Sequence, residues 1–153
     1  MNAPEAWGAT ILRIVLGVIF MMHGYLGLNV LGPARIGGFV TGMGYPAATA
    51  PLLAWYLIVV HLAGGGLMIL GLWTRLAALL QVPIMASAVF LLHLPQGFVM
   101  RGVIVDAAAG RAIAAGYEFA LLVLVATLAV ALLGSGALSV DRARAARHVP
   151  RVP

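Results

Sequence analysis

Four stretches of this chain are long, apolar and almost free of charge, and they limit what it can fold into. They cover residues 9–31, 50–73, 76–94 and 117–138. At about 1.5 Å of rise per residue, even the shortest reaches nearly across a hydrocarbon core about 30 Å thick. A water-soluble domain of 153 residues could not cover its surface with 8% charged side chains and a mean hydropathy of +1.09. The expectation is an all-α polytopic membrane protein, a four-transmembrane-helix bundle. The length suits a single domain, 1–153, closing on a basic tail, 141–153.

Charge and composition narrow the partners. The net charge is +5, but four of the nine arginines lie in the terminal "DRARAARHVPRVP". Arginines beside a span suit anionic lipid headgroups, so the expected partner is the lipid bilayer and not nucleic acid. The chain has no cysteine, which excludes disulfides, thiolate metal sites and thiol redox chemistry within it. The beginning does not read as a cleavable signal, since it lacks a positive n-region and carries Glu5.

Arginine placement orients the spans. The side with residue 1, the 73–75 turn and the tail holds Arg13, Arg75 and the four tail arginines; the other side holds Arg35, Arg101 and Arg111. The positive-inside rule then puts both termini in the cytoplasm and both long loops outside. The first loop, "GPARIGGFVTGMGYPAATAP", has Ile36, Phe39, Val40 and Met43 spaced for a short helix on the membrane surface. The second runs from Pro95 to Gly116, and Pro83 is expected to kink the third span.

Within the apolar mass a few polar residues stand out, above all His61 in "VVHLAGGGLMILGLWTR". His23 lies about 15 Å beyond Arg13, and His61 about 21 Å from Arg75, so the two imidazoles fall at similar depth. His61, Gly65, Met68 and Arg75 share a helical stripe; Arg13, Gly17, Gly24 and Gly27 share another, with His23 at its edge. Polar groups beside small residues point into a bundle, because lipid cannot satisfy them. His61 is therefore expected to face a neighbouring helix across a gap kept open by Gly64–Gly66. His93 and Glu118 lie nearer the outer mouth. Arg13, Arg75 and Asp141 form a structural polar layer at the other end, with Arg13 and Asp141 expected to pair.

Several chemistries remain open for His23, His61, Glu118 and His93 as candidate ligand-binding residues. Two imidazoles at one depth can be axial haem ligands, or with His93 and Glu118 can bind copper or zinc. A neutral imidazole can hydrogen-bond a quinone carbonyl or relay protons, or simply bond a facing backbone carbonyl. No residue is marked as catalytic.

The pieces "LRIVLGVIFMMHG", "GGGLMILGLWTR", "GYEFALLVLVATLAVALLGSG" and "LSVD" together make the chain resemble the DoxX family of bacterial inner-membrane proteins. The resemblance implies a multi-pass four-helix bundle in the inner membrane with cytoplasmic termini. Some relatives are subunits of a thiosulfate:quinone oxidoreductase; others join membrane redox or detoxification assemblies. Arg13, His23, Arg75, Glu118 and Asp141 fall on matched positions. The chain departs from the family pattern at Gly27, where a lysine is usual, and at His61, where a glutamate is usual. The two changes together are charge-neutral, as loss of a paired unit would be.

The chain is therefore expected to be an integral subunit of a membrane redox system, at most an oxidoreductase subunit, holding a quinone or similar small hydrophobic molecule near His23 and His61. A membrane or peripheral protein partner goes with that role. The alternatives are a non-catalytic scaffold of a larger complex and a small-solute permease. A continuous polar path from Glu118 to Arg13 would favour the permease.

Overall fold

The computed structural model describes residues 2–99, 102–106 and 111–147. Its first helix, α1 (Ala3–Leu26), starts ahead of the apolar stretch because Asn2 and Glu5 form a capping box. The Asn2 side chain accepts from the Glu5 amide at 3.0 Å, and the Glu5 carboxylate accepts from the Asn2 amide at 3.0 Å. Orphan amides of the first turn are satisfied in this way. α1 continues through a π turn, Gly27–Leu31, into one apolar rod spanning 3–31.

Gly32, at φ 78°, redirects the chain, and Pro33 opens α2 (Pro33–Gly42). The short helix expected in the first loop is therefore present, but its apolar face turns inward. Ile36 packs with Ala54 and Ile58 of α3 (Ala50–Val59), and Val40 is also buried. Covering another helix buries these side chains more fully than lying at an interface would.

The second rod, 47–70, joins α3 through a π turn at Val60–Gly64 to α4 (Gly65–Leu70). The third, 74–96, is α5 (Thr74–Ser87) followed by a π turn at Ala88–His93 and a final 3-10 turn. α5 runs through Pro83 without a break; irregular winding begins only at Ala88, and Ser87 Oγ donates to the Pro83 carbonyl at 2.8 Å. These three rods are long and apolar enough to cross a membrane, and α6 (Glu118–Leu133) is a shorter apolar helix of 16 residues.

The all-helical reading holds for the bundle, and one short hairpin stands beside it. Within the second loop, β1 (Gly102–Asp106) pairs antiparallel with β2 (Arg111–Ala115), from Gly102↔Ala115 to Asp106↔Arg111. The β-branched run Val103, Ile104 and Val105 is the signal for it. Arg101, the loop tip around Ala108 and the tail beyond residue 147 lie outside the described residues.

Glycines bring the first two rods together. A Cβ on Gly17 would sit 2.7 Å from the Gly65 carbonyl, and one on Gly65 would sit 2.7 Å from the Gly17 carbonyl. A Cβ on Gly24 would sit 2.9 Å from the Leu62 amide nitrogen and 3.0 Å from the His61 Cβ. Gly64 faces the other way, toward Gln81 of α5. The glycine run thus closes contacts and does not hold a gap open. In a bilayer, such close approach supplies the packing that hydrophobicity cannot, since lipid is as apolar as the helices. Between the rods and α6 lies a core that includes Leu16, Phe20, Met68, Ala77 and Val130. Large apolar side chains point outward instead, among them Ile11, Leu52, Leu79, Leu122 and Leu132, as a lipid-facing surface requires.

At one end of the bundle the start of α1, the 71–73 turn and the segment after α6 meet. α4 closes in a Schellman arrangement, with Gly71 left-handed at φ 67° and the Leu72 amide donating to the Leu67 carbonyl at 3.0 Å. A side chain on Gly71 would also strike the Arg13 guanidinium. Arg13 is buried, and its expected pairing with Asp141 is not what the structure shows. Its Nε donates to the Ser135 carbonyl at 2.7 Å and Nη1 to the Ile69 carbonyl at 2.7 Å; Met68 and Leu138 carbonyls accept the rest. Ile69 and Met68 lie in the last turn of α4, where the Met68 carbonyl also accepts from the Gly71 amide at 3.2 Å, and Ser135 and Leu138 lie in the irregular segment between α6 and α7.

Asp141, at the start of α7 (Val140–Arg147), instead caps α5 from a distance. It accepts from the Trp73 amide at 2.9 Å, and from the Thr74 amide and hydroxyl at 3.1 and 3.2 Å. A carboxylate there satisfies orphan amides at the positive helix end. Arg75 is exposed beside Gly134, off the His61 stripe, because the left-handed Gly71 and Trp73 break the helical count between them. Asp141→Ala is expected to cost about 1–2 kcal/mol, the usual worth of a helix cap. A lowered melting temperature in detergent would register it; an unchanged one would remove Asp141 from this role.

Candidate functional site

Toward the other end the bundle opens into a cavity of about 930 Å³. α1, α2, the second and third rods and the first turns of α6 all contribute to its wall. The π turn at Val60–Gly64 carries His61 on this wall, and the inward face of α2 covers it with Ile36, Phe39 and Val40. Widened turns of this kind displace backbone and side chains from the regular helical grid, and they recur at functional sites. Here the displaced Val60 carbonyl accepts from the Gln81 side-chain amide at 2.9 Å, with Gln81 wholly buried.

His23 and His61 both line the cavity, with ring centroids 6.4 Å apart and planes inclined at 59°. Matched depth and a shared face are thus realised. His61 is 5% exposed and is held edge-on to Phe20, centroids 5.2 Å apart. The Leu57 carbonyl lies within electrostatic reach of its ring, but no hydrogen bond of good geometry closes on Nδ1. A buried polar atom left this way is costly unless something else meets it. His23 is more open, and its Nδ1 lies 2.8 Å from the Ile19 carbonyl.

The other candidates divide. His93 lines the same cavity, whereas Glu118 heads α6 next to it, its amide donating to the Phe98 carbonyl at 3.1 Å. Among the described residues, no cluster of three or more His, Cys, Asp or Glu is placed to hold a metal ion. A porphyrin held by both imidazoles does not fit either. It would have to pass between α1 and the second rod where Gly24 touches His61, and those backbones leave no slot. Nor does a polar path run from this cavity to Arg13 among the described residues. Leu16, Phe20 and Met68, each 3% exposed or less, fill the level between.

Four polar residues of the wall or its support carry no charge and were not among the candidates read from the sequence. Tyr45 Oη meets Ser87 Oγ at 2.7 Å, Tyr56 Oη donates to the Leu80 carbonyl at 2.8 Å, and Gln81 braces the π turn. A search for buried hydroxyls and amides at inward helical angles would have reached Gln81 and Ser87. Tyr45 lies in a loop where no periodicity places it.

An apolar exterior, three rods of spanning length and a ligand-sized internal cavity define a helical integral membrane protein. The DoxX family model matches residues 8–94, more than half of the chain, and the chain belongs to the DoxX family. The matched stretch carries both cavity imidazoles and His93 and ends before the hairpin and α6. No curated protein and no solved structure matches the chain.

Proposed function

We propose that this protein is an integral subunit of a membrane redox system that holds an uncharged quinone-sized molecule between its helices, with His23 and His61 contacting its polar group. The observation that carries the reading is the pair of imidazoles 6.4 Å apart on the wall of a mostly apolar cavity of about 930 Å³. Ligand sites of about 300–1,000 Å³, mostly apolar with a few convergent polar groups, have this character. Absence of a polar path to Arg13 speaks for a binding site over a permease. A non-catalytic scaffold would need no such cavity. A membrane or peripheral protein supplying or taking electrons completes the assignment.

The test is binding by the purified protein. An organic extract should contain a quinone, or the protein in nanodiscs should bind added quinone saturably. With the quinol form as the added molecule, His61→Gln and His23→Gln should each weaken binding about tenfold, and the double variant should be little worse than either, since groups contacting one ligand atom act as a unit. Full additivity would separate the two residues and sink the shared site; no binding at all would sink the reading.

In the same reading the chain 1–153 forms one unit of four spans, α6 being the fourth, in the bacterial inner membrane with both termini cytoplasmic. The same-end meeting of Ala6 with Ala137 and of Gly71 with Asp141 supports an even number of crossings. The arginine count chooses the side. A reporter fused at residue 153 should read cytoplasmic and tags at Arg35 and Ala108 external; a protected Ala108 tag in intact cells reverses the orientation.

A further inference from the structure

We infer that the cavity selects an apolar molecule bearing a hydroxyl donor, a phenol or hydroquinone in class, over one offering only carbonyl or ether oxygens. The inference rests on the cavity being a ligand site and specifies the hydrogen-bonding character of its occupant.

Four polar side chains on the cavity wall, His23, Tyr45, Tyr56 and Ser87, have their protons already committed. The Ile19 carbonyl can only accept, so the His23 Nδ1 that lies 2.8 Å from it carries the proton. In the neutral ring Nε2 then has a bare lone pair. Tyr56 gives its proton to the Leu80 carbonyl at 2.8 Å and keeps only acceptor capacity. Ser87 gives its proton to the Pro83 carbonyl at 2.8 Å, so in the 2.7 Å contact with Tyr45 it is Tyr45 that donates. Both tyrosines therefore present lone pairs, and His23 does the same. Gln96 has one amide proton committed to the Leu92 carbonyl at 2.9 Å.

An occupant that only accepts leaves this set of acceptors without a donor, and an acceptor that the occupant shuts off from other donors is penalised. His61 keeps one ring proton and one lone pair, with Nδ1 unpartnered. A hydroxyl can donate to His23; a carbonyl or ether oxygen cannot. Hydrogen bonds of about 2.8 Å from one oxygen to both rings are long enough to bridge centroids at this spacing.

The experiment compares 2-naphthol, its methyl ether and 1,4-naphthoquinone, each titrated by calorimetry into the full chain in nanodiscs. It is run at pH 8, above the ordinary titration range of imidazole, with empty nanodiscs subtracted. The naphthol is expected to bind about tenfold more tightly than the ether, the worth of one hydrogen bond, with the quinone no better than the ether. His23→Phe keeps a ring and removes the lone pair, so it should erase most of the naphthol's advantage. The wild-type comparison stands without it if that variant fails to fold. Equal affinities, or a quinone that binds more tightly, overturn the inference while leaving the cavity a ligand site. Failure of all three to bind overturns both.

Discussion

Replacing Arg13 by methionine is expected to destabilise the protein by about 3 kcal/mol or more, since four carbonyls each lose a charged donor worth upward of about 1 kcal/mol. The guanidinium gathers Met68 and Ile69 at the end of α4 with Ser135 and Leu138 after α6, three chain segments far apart in sequence. Its loss should loosen that whole end, including the docking of Asp141 on the start of α5. Arg13→Lys should recover only part, because an ammonium is a point donor and cannot fork toward carbonyls in different directions. Thermal unfolding in detergent, together with protease sensitivity of the 134–141 segment, reads the effect. Unaltered melting of Arg13→Met would show that water at the membrane surface serves these carbonyls equally well.

The second large effect is expected from Gly65→Leu. A Cβ at that position meets the Gly17 carbonyl at 2.7 Å and the Met21 amide at 2.9 Å, and both are backbone atoms that cannot rotate away. Overpacking of this kind costs about 1–3 kcal/mol where the core can shift, and more where backbone blocks it. α1 must separate from the second rod, moving His23 away from His61. Ligand binding should therefore fall along with stability. Gly17→Leu attacks the same contact from the other side, so the double variant should be less than additive. Gly8, with open space around its Cβ position, is the control: Gly8→Leu should leave melting within about 0.5 kcal/mol of wild type. A Gly65→Leu protein that melts like the wild type would mean that the rods are held by other contacts.

The sequence by itself determined the membrane environment, since no other solvent tolerates four such apolar stretches. It also located the rods, though α1 begins at Ala3 and α6 ends at Leu133, because caps and glycine turns, not hydropathy, decide where a helix stops. The common depth of His23 and His61 was legible because rise per residue is constant and the arginines mark an end. Their shared wall came from the cost of leaving imidazoles in hydrocarbon.

Only the tertiary structure decided which partner each polar group takes. Arg13 prefers carbonyls to Asp141, and Asp141 prefers amides, because the end of α4, the start of α5 and the segment after α6 converge there, and no residue letter records which backbone groups they present. The direction of each glycine in the run, the inward face of α2 and the proton commitments of Tyr45, Tyr56 and Ser87 are of the same kind. They depend on what stands opposite, and a one-dimensional pattern gives only which face a residue lies on. That is why the candidate site's position was readable from the chain while its hydrogen-bonding character needed the fold.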